Sequence, residues 1–396
     1  MTEIRADWPL TNLGEEFEIQ QGKSLSPNSR RGQKPRPFLR TSNVLWGRVD
    51  LTTVDQMDFT DEEFSRLSLV DGDLLVCEGG DIGRAAVYRG PSGHYAYQNH
   101  LHRLRAKTDQ IIPDFVVHWL RAAFTQLGLY EGVGNKTTIP NLSRARLAQL
   151  QIPKPDPDEQ RQVASILGNV QRAIEVQAAI CDKLAALKSA TMAKLFREGL
   201  RGEPLKHTDI GPVPRNWRVD RLVEFAHFQR GYDITKKDQK HGTVPVVSSG
   251  GIKSWHDVAS AKGPGVVIGR KGSIGEIHYV EQDFWPHDTT LFATDFKGNV
   301  PLFVYYRLSV LDLKRLDSGA ANPALNRNFL HQELISWPDT DEQRSIATIL
   351  QTIDRSVSIH DRKRLMLQEL FRTVLPQLMT GAVRVKDLDL AEVSHA

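Results

Sequence analysis

The sequence predicts a mixed α/β fold built twice: two globular domains, each followed by a long helix. Three observations carry that expectation. First, Asp156-Pro157-Asp158-Glu159-Gln160-Arg161 returns as Asp339-Thr340-Asp341-Glu342-Gln343-Arg344. The register holds on either side: Pro140, Leu142, Arg144, Leu147, Ile152 and Pro155 recur as Pro323, Leu325, Arg327, Leu330, Ile335 and Pro338. Second, both copies run into apolar residues at helical spacing. Third, a strand, glycine turn, strand pattern occurs in each half. The repeat is far too long for a solenoid, so it reads as two copies of one domain plus its helix.

Residues 1–155 are expected to form the first domain and 156–202 its long helix; 203–338 form the second domain, and 339–396 the second long helix with a C-terminal tail. Phe17-Glu18-Ile19 reads as a short strand. Pro27 to Arg40 is a basic loop carrying Arg30, Arg31, Lys34, Arg36 and Arg40. It is either a solvated surface loop or a surface for phosphates and bases. Gly72 to Cys77 is a buried strand run, followed by Gly79-Gly80-Asp81-Ile82-Gly83-Arg84 and a second strand at Ala85 to Tyr88. A phosphate cradle is not expected there, since no Gly-Lys-Ser/Thr and no helix follows. Gly265 to Gly275 repeats the unit, with an alignment offset that drifts from that of the helices.

Tyr95 to Arg105 mixes aromatics, amides, histidines and arginines. His100 and His102 would share a face of a strand, but no further ligand is spaced for a metal. Gln98, Asn99, His100 and Arg103 suit base edges better. Phe115 to Leu120 starts a core helix, and Gly132 to Asn141 is a loop. In the second half, Gly202 to Pro214 reads as a linker. Lys236, Lys237 and Lys240 follow Gln229-Arg230-Gly231 much as the arginine loop follows Gln20-Gln21-Gly22.

Each long helix has a start signal, with acidic residues near the positive end of its dipole. The first apolar series is Val163, Ile166, Leu167, Val170, Ile174, Ile180, Leu184, Leu187 and Leu195; the second is Ile346, Ile349, Leu350, Ile353, Val357, Leu367, Leu370, Val374 and Leu378. Gly199 and Gly381 are plausible caps. About 40 residues make a rod of roughly 60 Å, or about 17 base pairs of duplex. One apolar stripe on such a rod needs a partner helix, and the other copy is the nearest candidate.

Composition narrows the class. The 396 residues are 40% hydrophobic and 25% charged, with a net charge of only +3, so any nucleic-acid surface must be local. Cys77 and Cys181 read as two buried thiols of a cytoplasmic protein, with neither a disulfide framework nor a zinc site. No apolar run reaches membrane length, and the N-terminus is unlike a signal peptide. There is no Asn-Pro-Pro-Tyr-like loop, no Walker A, no metal-nuclease acidic pattern and no His-Glu-X-X-His, so neither catalytic nor metal residues are assigned.

With these residues in view, the chain resembles the specificity subunit of a type I restriction-modification system. The resemblance rests on the Gly-Asp-Leu-Leu…Gly-Asp-Ile-Gly unit, on Ile139-Pro140-Asn141-Leu142 running into Ile152-Pro153, and on Pro155…Glu159-Gln160 with the long helix. Nearly all of it is repeated. Ala320-Ala321-Asn322-Pro323 and Ser336-Trp337-Pro338 depart mildly from the first copy. The resemblance implies two target recognition domains joined by two long antiparallel coiled-coil helices, related by an internal pseudo-two-fold repeat. Each domain would read one half of a split, asymmetric double-stranded DNA target. Two modification (methyltransferase) subunits and the restriction subunits would dock on the chain. S-adenosylmethionine, ATP and Mg would sit on those partners, leaving this chain without cofactor or chemistry.

The DNA contacts expected are Arg30, Arg31, Lys34, Arg36, Asn99 and Arg103 in the first domain, and Arg230, Lys236, Lys237, Arg270 and Lys271 in the second. Asp158, Glu159, Gln160 and Arg161, with Asp341, Glu342, Gln343 and Arg344, serve either subunit docking or helix capping. Two other classes stay open: a nuclease or methyltransferase with an unrecognised motif, and a stand-alone coiled-coil DNA-binding regulator.

Overall fold

The computed structural model describes residues 4–25, 34–130, 142–316 and 323–387. Arg30, Arg31, the whole 132–141 loop with Ile139-Pro140-Asn141, and Ala320-Ala321-Asn322 lie outside them. The chain divides into two compact units, residues 1–177 with 363–396 and residues 178–362. Both boundaries fall inside the long helices.

In the first unit, Leu10–Asn12 pairs antiparallel with Gln151–Pro153, tying the start of the globular domain to its end. A four-stranded sheet follows in the order Phe17–Gln21, Leu101–Ala106, Leu74–Cys77, Ala85–Val87, with every neighbour antiparallel. A three-stranded sheet runs Asp55–Asp58, Pro35–Leu39, Ala96–Tyr97, the last pair parallel. The second unit repeats this plan. Arg218–Arg221 pairs with Leu334–Trp337, the four-stranded order is His227–Arg230, Thr290–Asp295, Gly265–Gly269, Ile277–Val280, and the three-stranded order is Gly251–His256, Val244–Ser248, Trp285–Pro286.

The central strands are buried on both faces. Leu74, Val76 and Leu104 pack with Phe115, Trp119 and Leu120 of the helix Pro113–Thr125, while Leu75, Cys77 and Leu101 pack with Phe38, Leu39 and Tyr97. A sheet covered on both sides loses the alternation of apolar and polar residues that marks a half-exposed strand. This corrects the expected shared face of His100 and His102. His100 lies in the turn before the strand, and His102 is fully buried with Nε2 2.9 Å from the Leu142 carbonyl.

The long helices are Pro157–Glu198 and Thr340–Met379, each unbroken. In the first unit, Val163, Ala164 and Leu167 share a core with Phe371, Leu375 and Leu378. In the second, Met192, Leu195 and Phe196 share one with Ile346, Ala347 and Leu350. Within that unit Cys181 lies against the Val357 carbonyl, Lys188 pairs with Asp354 at 2.6 Å, and the Leu200 amide donates to Glu342. Rising numbers on one helix meet falling numbers on the other, so these segments run antiparallel. The apolar series is not buried throughout: Leu187 and Leu370 are 51% and 47% exposed.

Candidate nucleic-acid interface

The two globular domains build the same backbone site at one end of their four-stranded sheets. Strand Phe17–Gln21 ends on Gly22, whose N–H donates to the Leu101 carbonyl at 3.2 Å; Gly231 donates in the same way to Thr290 at 3.0 Å. A Cβ on Gly22 would lie 2.3 Å from the Tyr97 carbonyl oxygen, and one on Gly231 2.2 Å from that of His287, so neither position admits a side chain. The glycine turns also coincide. The Gly83 amide donates to Cys77 as that of Gly275 does to Gly269, and the Glu78 amide to His100 as that of Arg270 does to Thr289. Gly80 and Gly272 both have φ of 75°, and Gly83 and Gly275 both 79°.

On this common frame the side chains differ. Gln21, Glu78, Asn99 and His100 in the first domain stand where Arg230, Arg270, Asp288 and Thr289 stand in the second. Gln21 Nε2 donates to Glu78 Oε2 at 2.9 Å and to the Asn99 carbonyl at 3.0 Å. In the second domain Arg230 pairs with Asp288 at 3.0 Å, and His287 Nδ1 lies 3.0 Å from both Asp288 Oδ1 and Thr289 Oγ1. Gln21, Glu78, His287, Asp288 and Thr289 are absent from the expected DNA contacts, while His100 reads from the sequence as suited to base edges. Their signal is positional. The repeated glycine turn and the Gln20-Gln21-Gly22 match with Gln229-Arg230-Gly231 equate Glu78 with Arg270 and Gln21 with Arg230 in the sequence, while pairing Asn99 and His100 with Asp288 and Thr289 takes the sheets superimposed strand for strand.

The expected contacts fall into three groups. Lys236 and Lys237 are exposed, and none of the described ion pairs involves them. Lys34, Arg36 and Arg230 are exposed but paired, the first two with Asp61 at 2.8 and 3.5 Å. Asn99, Arg270 and Lys271 are half-buried beside the glycine turn or its neighbouring loop. Arg103 stands apart. It is 3% exposed, pairs with Glu18 at 3.3 Å and donates to the Arg66 carbonyl at 3.2 Å, so its guanidinium cross-links the domain interior.

The residues at the helix starts divide as well. Asp156 Oδ1 accepts from the Asp158 amide at 2.9 Å, and Asp339 Oδ1 from the Glu342 amide at 2.8 Å, so these two aspartates are the side-chain caps. Gln160 and Gln343 are buried latches. Gln160 Oε1 accepts from the Ile112 amide at 2.8 Å and Gln343 Oε1 from the Val300 amide at 3.0 Å, tying each long helix to the start of a domain helix. Glu159 accepts two bonds of 2.7 Å from Arg384. Glu342 accepts from the Leu200 amide at 2.7 Å and Trp217 Nε1 at 3.2 Å. Only the pairs Asp158–Arg161 and Asp341–Arg344 face solvent, at 2.6 and 2.7 Å.

Among the described residues no three of His, Cys, Asp or Glu come together as a metal-binding group. Among the same residues no helix is long and apolar enough to cross a membrane.

Known proteins place this architecture. The family profile of the type I restriction modification DNA specificity domain matches residues 5–186 and 214–369. The inferred type I restriction enzyme MjaX specificity subunit of Methanocaldococcus jannaschii is 23% identical, over 97% of this chain and 95% of its own length. The MjaVIII specificity subunit of the same organism is 24% identical over 64% of this chain and 67% of its own. The fold is similar to that of the type I restriction-modification S subunit from M. genitalium, with a TM-score of 0.67 and 17% identity over 96% of this chain and 99% of that one. It also resembles a chain from work on complex assembly and conformational transition of the type I R-M system, with a TM-score of 0.54 and 15% identity over 97% and 99%. The profile matches both halves of the duplication that the backbone repeats, and the chain therefore belongs to the type I restriction-modification specificity subunits, the non-catalytic DNA specificity component of those enzymes.

Proposed function

We propose that this chain reads an asymmetric, bipartite double-stranded DNA target in the cytoplasm, one half-site per globular domain. The observation that carries the reading is the single backbone site built twice with different side chains. Identical frames with unlike side chains suit two readers of unlike sequences. The flanking cations, Lys34 and Arg36 in one domain and Lys236, Lys237 and Lys271 in the other, would hold phosphates, which fix register without reading bases.

Two modification subunits would dock on one copy of the chain, and restriction subunits would join them. S-adenosylmethionine, ATP and Mg would be carried by those partners. The helices support a doubled docking surface. Val176 and Leu187 on the first are exposed, and the repeat equates them with Ile359 and Leu370 on the second, also exposed. Apolar side chains exposed in matching places on both helices suit a partner that binds twice.

The test is reconstitution with the modification subunits, followed by sequencing of the methylated sites and mass measurement. The expected product is two unlike half-sites separated by an unread spacer, with two modification subunits per chain. Replacing Lys236 and Lys237 together by alanine should weaken binding to all sequences alike and flatten its salt dependence. A continuous target, or a one-to-one complex at saturation, would contradict the reading.

A further inference from the structure

The matched site carries opposite chemistry in the two domains. At the position after the central strand, the first domain has Glu78 and the second Arg270. At the end of the edge strand, Gln21 faces the same place as Arg230. The first cluster thus offers a carboxylate, amides and a histidine, with no arginine or lysine at the four matched positions. The second offers two guanidiniums against one carboxylate at the matched positions, Asp288, while Asp233 lies 3.4 Å from Arg230 on the same strand end. Glu78 is 8% exposed, and its one described side-chain partner is the neutral amide of Gln21. Arg270 Nη1 is buried and has no hydrogen-bond partner among the described residues.

A buried, unpaired guanidinium N–H is costly unless something supplies an acceptor. Among the base edges of duplex DNA, the acceptor that fits an arginine fork is the O6 and N7 edge of guanine in the major groove. A carboxylate beside amides has the complementary need, a donor. The exocyclic amines of cytosine N4 and adenine N6 supply one. Both clusters lie on glycine turns, where the backbone approaches a ligand without a Cβ in the way.

Building on the bipartite reading above, we propose that Arg230 and Arg270 select guanine in the half-site read by the second domain, while Glu78, with Gln21 and Asn99, selects a base bearing an exocyclic amine in the other. The two half-sites differ because the same place in one fold has been given donors in one copy and acceptors in the other.

The experiment maps methylated sites on randomised duplex DNA, using the full chain assembled with its modification subunits. Arg270→Gln should reduce discrimination for guanine by roughly 5- to 150-fold at one position of one half-site, and leave the other half-site unchanged. Glu78→Gln, which keeps shape and removes the charge, should relax an adenine or cytosine position in the opposite half-site only. Whether that position is adenine or cytosine in the parent target decides between the two amines. Arg270→Lys keeps the charge and loses the fork. It should lose the guanine preference as well, and it stands in if the glutamine variant fails to assemble. The inference is overturned if the arginine variants weaken all sequences equally, if neither half-site changes, or if one substitution alters both. A parent chain whose target is not split defeats the bipartite reading itself. A split target whose guanines do not respond defeats only this assignment.

Discussion

His118 shows how burial sets the chemistry of a single residue. The imidazole lies in the helix Pro113–Thr125, 5% exposed, with its ring 6.1 Å from that of Phe371. Burial, reinforced by the charge of Arg121, pushes its pKa down to about 3. The same arginine stacks on Phe371 at 4.4 Å. A histidine held neutral when folded but titrating normally when unfolded lets the unfolded chain bind the extra proton. Its stabilisation is complete above the unfolded value of about 6.5 and is lost as pH falls from there towards 3. Between pH 7 and 5 that loss is about 2 kcal/mol. Burial lowers the pKa of His102 and His331 too, which adds to the effect in the same direction. Thermal melts of a His118→Leu variant should show correspondingly less acid sensitivity across that range, and an unchanged slope would mean His118 is not the titrating group. Arg103 teaches the same lesson. Its place between Asn99 and Arg105 reads as a polar surface, yet it is a buried cross-link.

At the scale of the element, a buried amide side chain near the start of each long helix ties it to its domain. Gln160 accepts from the Ile112 amide and donates to the Gln110 and Pro155 carbonyls, at 2.8, 3.1 and 2.8 Å. Gln343 accepts from the Val300 amide and donates to the Pro338 carbonyl and to Asn299 Oδ1, at 3.0, 3.0 and 2.8 Å. Glutamine is suited because it accepts and donates at once, where a carboxylate would only accept. Removing Gln160 strands a backbone N–H and two carbonyls; removing Gln343 strands a backbone N–H and one carbonyl, since Asn299 Oδ1 still accepts from Trp337 Nε1 at 2.8 Å. Gln160→Ala should therefore cost about 1–3 kcal/mol, and Gln343→Ala a similar amount. Hydrogen exchange should locate the damage, with faster exchange at Ile112 in the first variant and at Val300 in the second. Exchange confined to other segments would show that the latches do not hold these junctions.

On the scale of the whole molecule, the continuity of Pro157–Glu198 and Thr340–Met379 supports a ruler. Consider seven residues inserted at matching places in both helices, with the apolar stripe kept in phase. Each helix lengthens by about 10 Å, or roughly three base pairs of straight duplex. The unread spacer of the target should grow by about that number, and both half-sites should stay as they were, because the turns proposed to read them are untouched. Bent DNA or a tilted pair would lower the number without changing its sign. Selection on DNA with randomised spacers measures it directly. A spacer that does not move, or a half-site that does, would refute the ruler.

The sequence alone determined the duplication, the long helices and the glycine turns, because each leaves a local mark. A repeated start signal, apolar residues at helical spacing and glycines between strand runs need no knowledge of distant neighbours. It also carried the family resemblance, which rests on the order of those marks along the chain. Tertiary structure alone decided which polar residues are available. Arg103, His102, Gln160 and Glu342 are as polar as Lys236 or Arg161, but partners far along the chain bury them. The equivalence of Asn99 and His100 with Asp288 and Thr289 needed the folded chain too. The offset between the repeats drifts through the loops, and only the strand pairing restores it. Local chemistry fixes what a segment can become, and long-range packing selects which of its groups are left to meet a partner.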